Sequence, residues 1–574
     1  MDHRKEYNRW LADGSIDEKT KEELRAIAKD DKEIQERFYK NLEFGTGGLR
    51  GILGAGSNRV NVYTIRKATQ GLANYIIKQG EDARNMGVAI AHDCRRMSKE
   101  FCEETALVLN GNGIKTYIFD SLRPTPVLSF AVRHLGCTAG VVVTASHNPP
   151  EYNGYKVYWA DGGQAPYPRD EEIIAEVNLV EDFSQIKTAD RADAEAKGLF
   201  HIIGPEVDDT FMQNVKAQSI HPEIIPAAPL TIVYTPLHGS GNVPVRRALQ
   251  EMGFQNVHVV PEQEQPDPDF STVGYPNPED PAAFTLALKL AEKVNADIVV
   301  GTDPDADRVG VIVKDASGRY VILSGNMTGV LLTEHILSQK KALGTLPKNA
   351  AVISTIVSTD MTRAIAEAYG AAYFNVLTGF KYIGGKIKEF ELTGSYEYIF
   401  GFEESNGALA GTYARDKDSV VTTLLICEAA AFYARQGKTL CDALEDLYQK
   451  YGYYKETIES ITLKGLEGLE DMKKIMASLR ENPPRSIAGA AVVEVRDYKN
   501  KVIQYLDKGT KEASALPVSD VLYYVLADDS WFCARPSGTE PKIKIYAGVK
   551  TASAEAAEKR LQAVMQDVKK RIAR

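Results

Sequence analysis

The chain has 574 residues, which is too many for a single hydrophobic core, and this length predicts about four domains. With 44% hydrophobic and 25% charged residues, no apolar stretch long enough to cross a bilayer and no signal-peptide core at its start, it is expected to be a cytoplasmic globular protein. The formal net charge of −10 disfavours nucleic acid and anionic membranes as partners, because binding to either requires a basic face. The six cysteines are scattered and form no C-x-x-C pair, which argues against a disulfide framework and against a structural zinc site.

The chain begins with a charged segment, residues 1–40, in which apolar side chains recur at spacings of three and four. This spacing predicts an N-terminal helical extension. Residues 41–208 then show a β-α-β-α-β pattern that is typical of an α/β domain. Its strands are expected near residues 88–91, 115–119 and 139–143.

The same pattern recurs twice, in residues 209–325 and in residues 326–452. The strands are expected at 230–234, 257–260 and 298–300 in the second unit, and at 351–355, 372–374 and 398–400 in the third. Such alternation predicts mostly parallel or mixed sheets that are covered by helices. A polar motif follows the last strand of each unit, and ligands of open α/β sheets bind beyond the carboxyl ends of strands. The three motifs are therefore predicted to converge on one cleft.

The last part of the chain, residues 453–574, does not continue the alternation of strands and helices. Strand-like segments at 491–495 and 521–526 are followed by a helical segment at 554–573. We interpret this part as an α+β domain. The predicted fold is thus three tandem α/β units and a C-terminal α+β domain.

A candidate nucleophile lies in residues 144–149 (TASHNP), which we name the serine loop. Ser146 follows the apolar run that ends at Val143, where a buried strand would present it to a cleft. A serine in this place is more often a turn or helix-cap residue, and it needs activation to act as a nucleophile. The next residue, His147, can donate a hydrogen bond to a phosphate.

A candidate metal site lies in residues 303–308 (DPDADR), which we name the aspartate loop. Its carboxylates could be solvated loop charges, but Asp303, Asp305 and Asp307 beside a buried strand repel one another unless a cation neutralises them. Mg²⁺ is a hard cation that suits carboxylate ligands. The loop is not an EF-hand, because Arg308 stands where that loop needs glycine, and Asp307 in the fifth place departs from the haloacid-dehalogenase pattern. A serine together with a magnesium loop indicates phosphoryl transfer.

Three further segments carry groups that could bind a sugar phosphate. Residues 535–542 (RPSGTEPK) combine a guanidinium, hydroxyls, a glycine amide and an ammonium, which suit a phosphate, although an ordinary hairpin turn is the alternative. Glu403 and Ser405 offer acceptors for sugar hydroxyls, but such residues at a strand end are usually a solvated rim. Residues 45–50 (GTGGLR) form a glycine-rich segment that ends in a cation, and such clusters are usually turns.

Taken in order, these five motifs resemble the signature set of the α-D-phosphohexomutases, and the resemblance spans nearly the whole chain. The length, the N-terminal extension and residues 155–159 are most similar to the long branch that includes phosphoglucomutases and phosphopentomutases. The resemblance implies four domains around a central cleft, a sugar-phosphate substrate, Mg²⁺ as cofactor and glucose 1,6-bisphosphate as activator or intermediate. The implied reaction interconverts α-D-glucose 1-phosphate and glucose 6-phosphate.

The resemblance also implies roles for single residues. Ser146 would carry a phosphoryl group, and the metal would be bound by that group together with Asp303, Asp305 and Asp307. His147 and Arg308 would support the reacting phosphate. Lys381 matches a lysine that serves as general acid/base, although a lone lysine after Gly-Phe is more often a solvated surface charge. The implied substrate-binding set is Thr46, Arg50, Glu403, Ser405, Arg535, Ser537, Gly538, Thr539 and Lys542.

Two departures leave the sugar preference open. Phe402 stands where many relatives have glycine, and Ser419 ends a Lys-Asp-Ser segment where Lys-Asp-Gly is common. Phosphopentomutase, phosphomannomutase and glucose 1,6-bisphosphate synthase activities are alternatives within the family. A magnesium-dependent phosphatase with an aspartyl nucleophile and a non-catalytic sugar-phosphate sensor are alternatives of another class. No oligomeric state is predicted.

Overall fold

The computed structural model describes residues 2–43, 48–462, 465–536 and 542–572. The N-terminal segment is helical. Its helices are α1 (His3–Ala12), α2 (Glu18–Ala26) and α3 (Asp31–Phe38). Each begins after an aspartate whose carboxylate accepts a backbone N–H of the first turn. The buried Trp10 contacts Phe38, Tyr63 and Phe183 edge-on, so the extension packs on the first α/β domain.

The first α/β domain contains a mixed six-stranded sheet in the order β1-β5-β4-β2-β3-β6. Its strands are β1 (Leu49–Ile52), β2 (Val88–His92), β3 (Thr116–Phe119), β4 (Ala139–Val143), β5 (Tyr152–Trp159) and β6 (Phe200–Ile203). Its helices are α4 (Val62–Lys78), α5 (Glu81–Met86), α6 (Ser98–Gly111), α7 (Thr125–His134), α8 (Arg169–Asn178), α9 (Arg191–Ala196) and α10 (Pro205–Lys216), with a 3-10 helix at Phe183–Gln185. Strands β2, β3, β4 and β6 run parallel, whereas β5 pairs antiparallel with both β1 and β4. Every residue of β2 and β4 is buried, which explains their continuous apolar sequences.

The second α/β domain has a five-stranded sheet in the order β11-β10-β9-β7-β8. Its strands are β7 (Thr231–Thr235), β8 (Asn256–Val259), β9 (Ile298–Thr302), β10 (Val309–Lys314) and β11 (Tyr320–Leu323). Its helices are α11 (Asn242–Met252), α12 (Pro261–Glu264) and α13 (Thr285–Val294), with 3-10 helices at Pro222–Ala227 and Pro281–Phe284. Strand β9 is parallel to β7 and turns antiparallel into β10. The aspartate loop is the connection between β9 and β10.

The third α/β domain has a four-stranded sheet in the order β13-β12-β14-β15. Its strands are β12 (Ala350–Thr355), β13 (Ala372–Val376), β14 (Glu397–Glu403) and β15 (Gly407–Ala410). Its helices are α14 (Gly325–Ala342), α15 (Met361–Tyr369), α16 (Phe380–Thr393), α17 (Ser419–Ala434) and α18 (Leu440–Tyr451). Strand β14 is longer than expected and includes Glu403, because its pairing with β15 continues to Gly407. The glutamate therefore ends the strand and does not follow it.

The last domain contains an antiparallel sheet covered by helices, as an α+β domain requires. Its strands are β16 (Tyr453–Thr462), β17 (Ser486–Ile487), β18 (Ala490–Asp497), β19 (Val502–Tyr505), β20 (Thr510–Ala513), β21 (Leu522–Leu526), β22 (Trp531–Pro536) and β23 (Lys542–Thr551). Its helices are α19 (Gly465–Glu481) and α20 (Ala554–Ile572). The predicted fold class is confirmed, while the predicted domain boundaries stay predictions. None of the helices in the described ranges combines the length and apolarity that a bilayer span requires.

Candidate active site

The serine loop begins where the buried strand β4 ends. Ser146 is buried and has a positive φ of 54°, a conformation that is uncommon outside glycine. Its N–H donates to Thr144 Oγ1 at 2.8 Å, and its Oγ donates to Asp303 Oδ2 at 2.9 Å. The same Oγ lies 3.1 Å from His147 Nδ1. Two domains thus bring the predicted nucleophile into contact with the predicted metal loop.

The aspartate loop holds three buried carboxylates together. Ligand oxygens of Asp303, Asp305 and Asp307 all lie within 4.8 Å of one another. Asp303 Oδ1 accepts the backbone N–H groups of Asp307 (3.1 Å) and Arg308 (3.0 Å), and these bonds close the loop. The Oδ1 atoms of Asp305 and Asp307 are buried and accept no hydrogen bond from the described residues. Unsatisfied buried carboxylate oxygens are costly, so this donor set fits a hard divalent cation such as Mg²⁺.

Two lysines that the sequence did not single out as site residues lie against this loop. Lys156 Nζ is 2.8 Å from Asp305 Oδ2 and 3.6 Å from Asp307 Oδ2, and Lys417 Nζ is 3.1 Å from Asp307 Oδ2. They offset part of the negative charge of the three carboxylates. A lysine inside the otherwise buried strand β5 was a signal that could have identified Lys156. Lys417 begins the Lys-Asp-Ser segment, and the similarity of that segment to the family's Lys-Asp-Gly was the signal that could have identified it.

The charges of the loop shift its pKa values in opposite directions. Burial raises the pKa of Asp303 well above its usual range, and the neighbouring carboxylates add to this effect. Burial acts in the same direction on Asp305, but the Lys156 ammonium outweighs it and lowers the pKa of Asp305. Burial and the nearby arginines lower the pKa of His147 well below its usual range. The imidazole beside Ser146 is therefore neutral at pH 7.

The predicted cations Arg308 and Arg50 lie near the serine loop and the aspartate loop. Arg308 Nη1 is 2.6 Å from Glu279 Oε1, in a segment that the sequence had not singled out. Arg50 extends from β1, and its Nη1 donates to Asn148 Oδ1 at 3.4 Å in an exposed position. Burial acts to lower the pKa of Arg308, but Glu279 and Asp307 outweigh it and raise that pKa.

The predicted sugar-binding residues lie at the end of β14. Glu403 is buried, and its Oε1 accepts the backbone N–H of Gly379 at 2.8 Å. Glu404 Oε2 accepts a hydrogen bond from Thr355 Oγ1 at 3.0 Å. Burial and the adjacent Glu403 raise the pKa of Glu404 to about 7. Ser405 follows them and is half-buried.

Lys381 occupies the first turn of α16. Its Nζ lies 3.7 Å from Asp170 Oδ2, and its side chain is 13% exposed, so it is not a solvated surface charge. Burial lowers the pKa of Lys381, against the opposing effect of Asp170. Within the described ranges, Lys381 forms no ion pair with the aspartate loop.

The predicted phosphate loop of the last domain lies only in part within the described residues. Arg535 is on β22 and pairs in register with Lys544 of β23, which Lys542 begins. Thr46, Ser537, Gly538 and Thr539 lie outside the described residues, as do the other members of 44–47 and 537–541. Their assignment to substrate binding stays a prediction.

Sequence models of four consecutive domains match this chain. They are described as the phosphoglucomutase/phosphomannomutase α/β/α domains I, II and III and the C-terminal domain of the same group. The matched residues are 41–182, 209–318, 324–451 and 484–566. Together these matches cover most of the chain.

Curated relatives and solved structures agree with this result. Proteins named phosphoglucomutase from two strains of Staphylococcus aureus are similar to the chain. The one from strain MSSA476 is 38% identical over 535 residues, which are 93% of this chain and 94% of the relative. The one from strain MRSA252 is 39% identical over 520 residues, which are 91% and 92% of the two chains.

Two solved structures share the fold. Parafusin, a phosphoglucomutase from Paramecium in an open form, has a TM-score of 0.67 and 17% identity over 93% of this chain and 95% of its own. A phosphoglucomutase/phosphomannomutase family protein from Burkholderia thailandensis has a TM-score of 0.65 and 19% identity over 92% and 96%.

Proposed function

This chain belongs to the phosphoglucomutase/phosphomannomutase family, within the α-D-phosphohexomutase superfamily, and from that premise we propose that it interconverts α-D-glucose 1-phosphate and glucose 6-phosphate. One observation carries the proposal. The Ser146 hydroxyl donates to Asp303, in a loop where Asp305 Oδ1 and Asp307 Oδ1 are buried and accept no hydrogen bond from the described residues. A nucleophile and a cation site in direct contact are what phosphoryl transfer requires.

In the proposed reaction, Ser146 carries the phosphoryl group that is transferred. The P–O bond to Ser146 Oγ breaks as a P–O bond to the 6-hydroxyl of glucose 1-phosphate forms, and the hydroxyl proton passes to a base. The resulting glucose 1,6-bisphosphate reorients, and its C1 phosphoryl group is transferred to Ser146 Oγ as the C1–O–P bond breaks. The protonated base returns its proton to the C1 oxygen, which releases glucose 6-phosphate. Phosphate is exchanged between two oxygens of the sugar, so neither water nor inorganic phosphate enters the balance.

The proposed metal is Mg²⁺, which Asp303, Asp305 and Asp307 would bind together with the phosphoryl group on Ser146. When bound, this cation would neutralise charge on the transferring phosphoryl group. Lys156 and Lys417 hold the carboxylates in place by their ion pairs. Arg308 can exchange Glu279 for a phosphate, because that carboxylate is partly exposed.

Lys381 is the proposed base for the sugar hydroxyl. A lysine acts as a base only in its neutral form, and burial shifts the pKa of Lys381 in the direction that raises this fraction. Glu403 and Ser405 are proposed to bind sugar hydroxyls. The proposed phosphate contacts are Thr46, Arg50, Arg535, Ser537, Gly538, Thr539 and Lys542. They must accept the C1 or the C6 phosphate, because the intermediate binds in both orientations.

A ³¹P NMR time course with glucose 1-phosphate, Mg²⁺ and trace glucose 1,6-bisphosphate tests the proposal. We expect glucose 6-phosphate to form without inorganic phosphate, and Ser146→Ala to abolish turnover while the protein stays folded. Ser338→Ala is the matched control, since its hydroxyl donates to the His335 carbonyl and accepts from Gln339 Nε2 within α14. Release of inorganic phosphate by Ser146→Ala would establish the phosphatase alternative instead. Mannose and ribose 1-phosphates in the same assay would rank the sugars by kcat/KM.

A further inference from the structure

One buried guanidinium donates hydrogen bonds to several backbone carbonyl groups of the serine loop. Arg95 follows β2, and its side chain is fully buried. Its Nη1 donates to the carbonyl oxygens of Pro149 (2.8 Å) and Tyr152 (3.0 Å). Its Nη2 donates to the carbonyl oxygens of Ser146 (2.5 Å) and Asn148. One side chain thus holds four carbonyl groups in and just after the loop that presents the nucleophile.

A buried carboxylate connects the same guanidinium to the other side of Ser146. Asp93 Oδ2 lies 3.2 Å from Arg95 Nε, and Asp93 Oδ1 accepts the Arg95 backbone N–H at 2.9 Å. Asp93 Oδ2 also accepts the hydroxyl of Thr144 at 2.6 Å, and Thr144 Oγ1 accepts the Ser146 N–H at 2.8 Å. The Phe270 ring covers the guanidinium at 4.9 Å. Both the N–H and the C=O of Ser146 are therefore fixed by the Asp93–Arg95 pair.

The conformation of Ser146 explains why such support is needed. A non-glycine residue with φ of 54° is strained and persists only where its surroundings enforce it. The direction of Oγ toward Asp303 depends on this backbone conformation. Without the guanidinium, the four carbonyl groups would be left without their common donor, and the loop would relax.

We propose that Arg95 is a positioning residue for phosphoryl transfer, acting through the backbone of Ser146 so that the phosphoryl group faces the aspartate loop. The inference rests on the proposed function. Arg95 contacts the loop from its buried side, so its loss should change the chemical step and leave substrate binding nearly intact. A misplacement of reacting groups by about 1 Å reduces a rate by about 100-fold.

The test compares Arg95→Lys and Arg95→Gln with Arg96→Gln in the full-length protein. Arg96 is the matched control, because it is the next residue, is 55% exposed and pairs with the exposed Asp269. With glucose 1-phosphate, we expect kcat of both Arg95 variants to fall about 10- to 100-fold and KM to stay within about twofold. We also expect ³¹P NMR to show faster loss of phosphate from Ser146 to water in the absence of substrate. Arg96→Gln should match the wild type.

A merely structural role would give a different result. The Arg95 variants would then lose folded protein in thermal unfolding, but kcat per folded molecule and the phosphoserine lifetime would equal those of the wild type, and the inference would be overturned. If Arg95→Gln does not fold, Thr144→Val provides the same readouts, because it removes the acceptor of the Ser146 N–H. Wild-type kcat and phosphoserine lifetime in Thr144→Val would also overturn the inference. Absence of turnover in the wild type would contradict the proposed function itself.

Discussion

Two regions of the molecule bury carboxylates, but they differ in how many hydrogen-bond donors the fold supplies to them. At the junction of the second and third domains, Glu428 of α17 accepts the backbone N–H groups of Ile220 (2.9 Å) and His221 (3.1 Å) and the hydroxyl of Ser219. His335 Nε2 lies 3.5 Å from the same carboxylate. In the aspartate loop, by contrast, two buried carboxylate oxygens, Asp305 Oδ1 and Asp307 Oδ1, lack any such donor within the described residues.

The difference separates a structural use of buried charge from a functional one. Burial acts to raise the pKa of Glu428, but the nearby His335 imidazole and the hydrogen bonds from Ser219 and Ile220 outweigh it and lower that pKa. Glu428 is therefore satisfied by the fold and fastens the chain segment before the second domain to α17. The Oδ1 atoms of Asp305 and Asp307 have no donor among the described residues, which fits the proposed cation site. Glu404 lies between these two cases: its carboxylate accepts one hydrogen bond, from the Thr355 hydroxyl, and its pKa is raised.

The largest effect is expected for Asp305→Asn. Removal of one carboxylate from the aspartate loop should weaken Mg²⁺ binding and reduce kcat/KM by about 1000-fold. The measurement is kcat/KM across a Mg²⁺ titration, with isothermal titration of Mg²⁺ in parallel. Asp507→Asn, at an exposed position, is the control. An unchanged Mg²⁺ dependence would contradict the assignment of the loop as the metal site.

A smaller loss, about 100-fold in kcat, is expected for Lys381→Met, which removes a general base. Because the neutral lysine is the active form, kcat/KM of the wild type should rise with pH through the lowered lysine pKa. The variant should lack this rise. Lys386→Met, on the same helix and paired with Glu389, is the control. A pH profile identical to that of the wild type would show that Lys381 is not the base.

Glu428→Gln should lower the free energy of unfolding by about 2 kcal/mol, because the amide replaces a charged acceptor of several buried donors. Its kcat should equal that of the wild type. The folded-state pKa of Glu428 lies below its unfolded value, so its stabilising effect is present above the unfolded pKa and is lost as pH falls through the folded pKa. Urea unfolding between about pH 3 and pH 7 measures both effects. A variant as stable as the wild type would refute the structural role.

The smallest effect is expected for Glu404→Gln. The pKa of Glu404 is raised to about 7, so its contribution to stability is fully present below the unfolded pKa and is lost as pH rises through about 7. The variant should therefore lose less stability than the wild type between about pH 5 and pH 8. The sign is opposite to that for Glu428. Parallel pH curves for variant and wild type would show that Glu404 titrates normally.

Local patterns predicted much of the architecture and the centre of the site. The apolar run of β4 predicted a buried strand, and Ser146 was expected just after its end. Both features depend on neighbouring residues of the sequence: the apolar run indicates burial, and the polar residues that follow it indicate where the strand ends. The spacing of Asp303, Asp305 and Asp307 likewise predicted that the three carboxylates would share one loop. The end of β14 was misplaced by a few residues, because pairing with β15 extends it through Glu403.

By itself, the sequence determined the order of the α/β units, the serine at a strand end and the cluster of carboxylates. Only the tertiary structure decided which charges meet. Lys156 reaches Asp305 across 149 positions of sequence, and Arg95 reaches the Ser146 carbonyl across 51. The physical reason is that a charge is stabilised by what lies within a few ångströms of it. Sequence spacing fixes such neighbours only within one loop or element, whereas the packing of domains fixes the rest.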